Sequence, residues 1–336
     1  MKWMAIDIGG ANLKVADGDK FAMIQPFPLW QNPQQLADAL RGLMAQVPRV
    51  DHIAVTMTGE LADCFVTKTE GVEFIIDAAT AAADGRHLRV YMTNGMLVSP
   101  RIAVRQPLLA AASNWHALAR YCGRYAPKAC GLVIDIGSTT TDMIPLIDGT
   151  PVTMGHTDPS RMLSGELVYT GVERTPLCAV VSSLPWRGRK CPIAHEIFAT
   201  MWDVYLTLGD LPEEPMRDNT ADRRPATKDT AWDRLARSIC ADREMYTQAD
   251  AQAAAEGSAA AQLTRIAKSA ALVIRRLPQP PTTVVISGRG EFLARRVIEK
   301  LEISPKIVSL NQELGEELSR SATAHALAVL AREGLR

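Results

Sequence analysis

The chain has 336 residues, enough for one large domain or two of ordinary size with a substantial core. Its 37 Lys plus Arg balance its 37 Asp plus Glu, so it has no global basic footprint for nucleic acid or an anionic membrane, and small charged ligands must be met by local features. Six dispersed cysteines without a CxxC pair read as reduced thiols, and no stretch approaches the ~20 apolar residues of a membrane span, so a cytoplasmic protein is expected.

The chain opens with "WMAIDIGGANLKVADGDKFAMIQ" (3–25), an apolar run, a glycine turn, a second run, an Asp-Gly turn and a third run. An Asp-Gly pair between alternating segments signals a hairpin, so the unit reads as a three-stranded meander. A helix over 32–47, strands over 52–60 and 88–95, and a helix over about 107–121 follow. Then "GLVIDIGSTTTDMIPLIDGTPVTMG" (131–155) repeats the order of the opening unit, which predicts two related halves. An irregular stretch over 160–186 leads to a predicted helix over 193–209 and a polar surface loop over 212–229. Helices are predicted over 229–244 and 248–277, the second broken by "PQPP". A strand–glycine–helix unit (282–301) and a final helix over 321–334 complete the chain.

The doubled turn carries the chemistry. A strand entering a Gly-Gly or Gly-Ser bend leaves backbone N–H groups free at its tip, and glycine lets an anion approach the main chain. Gly9, Gly10, Asn12 and Lys14 in the first turn, and Gly137, Ser138, Thr139 and Thr140 in the second, are therefore candidate phosphate contacts. Asp7 and Asp135 end the strands before the turns, and two carboxylates beside a diphosphate suit Mg²⁺. The spacing is not that of a Walker loop. One such turn is an ordinary hairpin; two, with matching aspartates and meanders, point to a phosphorylated ligand held between them.

Weaker candidates surround it. "SGRGEFL" (287–293) places Gly288, Gly290 and Glu291 between a strand and a helix, where either simple helix capping or a nucleotide contact would fit. Glu60 of "TMTGE" ends a strand and could take a proton from an incoming hydroxyl, or merely open a loop. In "GELVYTGVERTP" (165–176), Tyr169, Thr170, Glu173 and Arg174 form a polar cluster suited to substrate contact, with a surface salt bridge as the plain alternative. Cys191 and His195 have no second pair at metal-ligand spacing, and His195 reads as capping a helix.

With these motifs in hand, "AIDIGGANLK" and "VIDIGSTTTDMIP" resemble the two phosphate motifs of the sugar kinase, Hsp70 and actin superfamily, and "VVISGRGEFLA" its adenosine-side motif. Together "MTGEL", "DIGSTTTDMIP", "GELVYTGVERTP" and "SGRGEFLA" resemble the hydantoinase/oxoprolinase-related family linked to tetrahydromethanopterin-dependent one-carbon transfer. That family includes a methanofuran-biosynthesis enzyme of furan–tyramine ether synthase type. The resemblance covers nearly the whole chain and implies an α/β fold of two pseudo-symmetric ribonuclease-H-like halves with a ligand cleft between them. It implies halves over 1–125, joined by a C-terminal helix within 320–336, and 126–319, with a helical insertion around 186–247. It further implies transfer of an aminomethylfuranylmethyl group from its diphosphate to the phenol oxygen of a γ-glutamyltyramine-like acceptor, with pyrophosphate leaving. In that reaction Asp7 and Asp135 would position Mg²⁺, the two turns would hold the diphosphate, and Glu60 would be the base on the phenol. Tyr169, Thr170 and Arg174 would then lie near the acceptor. The rival reading is an ATP-dependent kinase of the one-carbon pathway; a regulator of sugar-kinase type would need a DNA-binding module, which the neutral charge and the opening meander do not suggest, and a hydantoin or oxoproline hydrolase rests on fold analogy alone. Small molecules are the expected partners; oligomeric state is not legible.

Overall fold

A computed structural model describes residues 2–47 and 50–334; the ends of the expected 1–125 and 320–336 segments, at residues 1, 335 and 336, lie outside the described residues. Strands β1 (Trp3–Ile8), β2 (Asn12–Ala16), β3 (Ala22–Pro26), β4 (His52–Met57), β5 (His87–Tyr91) and β6 (Leu97–Val98) form one sheet in the order β3-β2-β1-β4-β5-β6. The second sheet begins with β7 (Cys130–Ile136), β8 (Thr141–Ile147), β9 (Thr150–Pro151) and β10 (Leu167–Val168). After a separate hairpin of β11 (Ser183–Trp186) and β12 (Arg189–Pro192), it is completed by β13 (Thr283–Ser287) and β14 (Lys306–Ser309). Its order is β10-β8-β7-β13-β14, with β9 on β8. In both sheets the first two strands are antiparallel, and the first runs parallel to two later ones: β1 with β4 and β5, β7 with β13 and β14. The chain is thus an α/β protein of two ribonuclease-H-like halves, as expected.

Side-chain alternation builds the layers. Met4, Ile6 and Ile8 of β1 and Ile53, Val55 and Met57 of β4 enter an outer core beneath helices Leu36–Met44 and Lys68–Ala82. Their alternates, Ala5 and Ala54, enter a middle core. In the second sheet Leu132, Ile134 and Ile136 face outward, while Val133 and Val285 reach the same middle core. Helices Asn114–Cys122 and Ala322–Arg332 fill that middle layer, and the C-terminal helix contacts β1, β2 and β4. Asp7 shares the parity of Ala5, and Asp135 that of Val133. Both aspartates are therefore set on the inward faces of their sheets.

The structure corrects several predicted elements. Helix Lys68–Ala82 is not among the predicted elements, although Thr67 caps it by accepting from the Glu70 N–H. The predicted helix 193–209 is only Met201–Leu208, because Thr200 and Asp203 form a capping box that starts it there. His195 consequently lies exposed in an irregular stretch, not at a helix start. The helix expected over 107–121 breaks at Ala112, whose φ of 46° no helix accommodates. The third strand of the second meander shrinks to two residues, since the N–H groups of Met154 and Gly155 donate to the Glu166 carboxylate (2.8 and 2.9 Å).

Candidate functional site

The two glycine turns have one geometry. Gly9 N–H donates to Asn12 O at 3.0 Å, and Gly137 N–H to Thr140 O at 2.9 Å. The flanking registers match as well: Asp7 opposes Lys14, and Asp135 opposes Asp142. Both turns are partly exposed, and among the described residues the N–H groups of Gly10, Ala11, Ser138, Thr139 and Thr140 donate to no other protein group.

The turns are buttressed from behind. The carbonyl of Ile8 accepts from Thr58 and Gly59, which ties the strand end before Glu60 to the first turn. The carbonyl of Ser138 accepts from Glu173 and Arg174 (3.1 and 2.8 Å). A Cβ on Gly171 would lie 2.5 Å from Gly137 O and Thr139 N, so only glycine permits this contact. The segment 165–176 is therefore first a support for the second turn. Thr170 is wholly buried, and its hydroxyl meets Gln262 (2.8 Å) and Thr175 (3.3 Å). Tyr169 and Arg174 project outward.

Charge is unevenly compensated between the turns. Asp7 is buried, accepts from the Thr323 hydroxyl of the C-terminal helix at 2.5 Å, and lies 4.0 Å from Lys14 Nζ; its Oδ1 has no partner among the described residues. Asp142 pairs with buried Arg161 (2.7 Å), whose guanidinium lies 3.9 Å over the Trp115 ring. Among the described residues Asp135 has no such partner. Burial, reinforced by the Asp142 charge, pushes its carboxyl up to about 6, while Ser287 and Lys14 act in the opposite direction. Lys14 thus bears on carboxylates of both halves.

Glu60 is 1% exposed, its Oε2 has no partner among the described residues, and burial pushes its carboxyl up, opposed in part by its own backbone amide and by Lys68. It is held by close packing: a Cβ on Gly71 of the Lys68–Ala82 helix would collide with the backbone of Glu60. Lys68 Nζ lies 3.7 Å from Glu60 Oε1 and 2.6 Å from Asp158 Oδ2, which belongs to the other half of the chain. Lys68, Leu108, Ala111, Ala112, Asp158 and Pro159 line a cavity of about 210 Å³. Neither Lys68 nor Asp158 is a site candidate from the sequence. The Thr67–Glu70 spacing and "TDPS" (157–160) announce helix starts, but nothing local announces that the two starts meet.

The glycine-rich segment has internal partners. Gly290 packs against Ile136, where a Cβ would approach its side chain at 2.5 Å, and Gly288, at φ 85°, abuts the Ile136 carbonyl. Glu291 accepts from the Ser309 hydroxyl (2.5 Å) and the Asn311 N–H (3.0 Å). Arg289 pairs with Glu173 at 2.7 Å and with Glu214, and Arg217 joins both acids while stacking over Trp202. Among the described residues no group of three or more His, Cys, Asp or Glu could hold a metal ion.

Two mixed sheets of one topology, with matched polar turns at the inner ends of their first strands, define a protein of the doubled ribonuclease-H-like class. Residues 51–333 match the hydantoinase/oxoprolinase family, and the chain belongs to it. It is 32% identical over 335 residues, 99% of this chain and 98% of the relative, to the (4-{4-[2-(gamma-L-glutamylamino)ethyl]phenoxymethyl}furan-2-yl)methanamine synthase of Methanocaldococcus jannaschii. It is 26% identical over 219 residues, 65% of this chain and 97% of the relative, to the protein of that name from Methanococcus vannielii. Among solved structures, the inorganic polyphosphate/ATP-glucomannokinase of Arthrobacter sp. strain KM aligns with TM-score 0.47 and 15% identity over 99% of each chain. No helix among the described residues is long and apolar enough to cross a membrane.

Proposed function

We propose that this protein is a transferase that joins a furanylmethyl group, delivered as its diphosphate, to the phenol oxygen of a γ-glutamyltyramine-like acceptor, with release of pyrophosphate. The pair of turns of one geometry, with N–H groups free among the described residues, carries the reading, and the name of its full-length relative supports it. Gly10, Ser138 and Thr139 would receive diphosphate oxygens on their N–H groups, aided by Lys14, Asn12 and the hydroxyls of Ser138, Thr139 and Thr140. Fixed donors aimed at developing negative charge are a large electrostatic contribution, and they need no reorganisation when the C–O bond breaks.

The unpartnered Asp7 Oδ1 and the elevated Asp135 carboxyl fit a divalent cation. Mg²⁺ characteristically takes one or two protein carboxylates plus phosphate oxygens, so two acids suffice. When bound it would neutralise the leaving diphosphate, held by Asp7 and Asp135. Glu60 would accept the phenol proton as the ether bond forms; its elevated pKa makes it a stronger base than an ordinary carboxylate. Tyr169 and Arg174, at the surface beyond the second turn, would meet the rest of the acceptor.

Thermal stabilisation by pyrophosphate, ADP and ATP, each with and without Mg²⁺, tests the reading. A ligand at 100 times its dissociation constant adds roughly 2.7 kcal/mol when it binds only the folded state. Stabilisation by Mg²⁺–pyrophosphate, absent in Asp135→Asn, is the expected result. Stabilisation by ATP alone would replace this reading with a phosphotransferase.

A further inference from the structure

The cavity between the halves has an unusual lining. Leu108, Ala111, Ala112 and Pro159 give it apolar walls, and Lys68 and Asp158 bring two opposite charges to it. Its volume of about 210 Å³ suits an aromatic ring with a short substituent. Behind Lys68 lies Glu60, 1% exposed and with an unpartnered Oε2. Ala112 holds a left-handed conformation at φ 46°, and its backbone amide favours the ionised Glu60. A non-glycine residue held in that region is strained and persists only where its surroundings demand it.

We infer that this cavity receives the phenol ring of the acceptor and that Lys68 is a further catalytic residue, its ammonium meeting the phenol oxygen as that oxygen becomes anionic. The assignment rests on the transfer reading above. Lys68 stands 3.7 Å from Glu60, so it faces an anion throughout. Before the reaction the anion is the Glu60 carboxylate. As the phenol O–H breaks, its proton passes to Glu60 and the charge moves to the phenol oxygen. That oxygen then bonds to the furanylmethyl carbon, and the electrons of the breaking C–O bond leave with the diphosphate. Net charge around Lys68 is conserved until the ether forms, and Asp158, 2.6 Å away, then remains as its partner, so no step strands an unpaired charge. Asp158, 2.6 Å from Lys68 and on the opposite half, is a positioning residue: it holds the ammonium over the cavity only when the halves are together.

The test uses the full chain and a series of ring-fluorinated tyramine-type acceptors whose phenols are progressively more acidic. With the parent phenol, Lys68→Met is expected to lower kcat roughly 100-fold, the usual scale for losing one stabilising charge or donor. The loss should shrink as the acceptor becomes ionised at the assay pH. Asp158→Asn should act mainly through KM, and Lys68→Arg should recover part of the rate. A loss equal across all acceptors would reduce Lys68 to an inter-half tie and overturn the inference. Independently of turnover, the absorbance of bound 4-nitrophenol should report a pKa lowered by about one unit in the native protein and not in Lys68→Met. No Lys68-dependent shift overturns the inference. A shift without any transfer would instead remove the transferase reading while leaving a phenolate-binding cavity. Retained stabilisation of Lys68→Met by Mg²⁺–pyrophosphate shows that the variant is folded.

Discussion

Asp135 and Asp7 occupy equivalent positions in the two halves and differ in their compensation. Lys14 bears on both, and Asp7 also accepts from the Thr323 hydroxyl, whereas Asp135 faces the charge of Asp142 across its hairpin. With its folded pKa raised to about 6, Asp135 favours the protonated form, so the free protein loses stability as pH rises from the ordinary carboxylate range through about 6. Melting curves between pH 4.5 and 7.5 should show this slope, and Asp135→Asn should flatten it. A bound cation favours the carboxylate, so Mg²⁺–pyrophosphate affinity should rise with pH over the same window, which a calorimetric titration would read. Asp7, Asp135 and the glycines around them are legible in the sequence because the motif is local and occurs twice. Lys68 is not, because its partners Glu60 and Asp158 are 8 and 90 residues away.

The element that most changes meaning is the segment 165–176. By composition it looks like a substrate loop. In the fold its Gly171 packs into the second turn and its backbone N–H groups bind Ser138. Gly171→Ala would place a Cβ 2.5 Å from main-chain atoms of residues 137–139, a collision that only backbone movement relieves. Such overpacking typically costs about 1–3 kcal/mol. A lowered unfolding midpoint in urea, together with weaker pyrophosphate binding, is therefore expected; an unchanged midpoint would mean that the turn yields freely. Helix Lys68–Ala82 illustrates the opposite failure. Its capping signal is plain at Thr67 and Glu70, but its glycine at position 71 lowers helix propensity. That glycine is there for close approach to Glu60, which no propensity scale records.

Across the whole molecule, the two halves are joined through a middle layer. Helix Ala322–Arg332 buries Ala326, Leu327, Val329 and Leu330 between the sheets and delivers Thr323 to Asp7. Losing even one buried leucine commonly costs about 2–5 kcal/mol, and domain stabilities are roughly 5–15 kcal/mol. Truncation after Arg320 should therefore abolish cooperative melting, as monitored by circular dichroism, although both glycine turns remain in the chain. A cooperative transition near the native midpoint would refute the idea that the middle layer is indispensable.

The repeated turn, its aspartates and the period-two apolar strands around it were settled by the sequence alone, since each depends on neighbours within one hairpin. They yielded the doubled α/β architecture. The broken helix at Ala112, the shortened β9, the internal pairing of Arg289 and the meeting of Lys68 with Glu60 and Asp158 were decided only by the tertiary structure. Their cause is packing between segments distant in the chain. Such contacts select a conformation or a charge partner by what fills the space, and a window of sequence carries no record of what that will be.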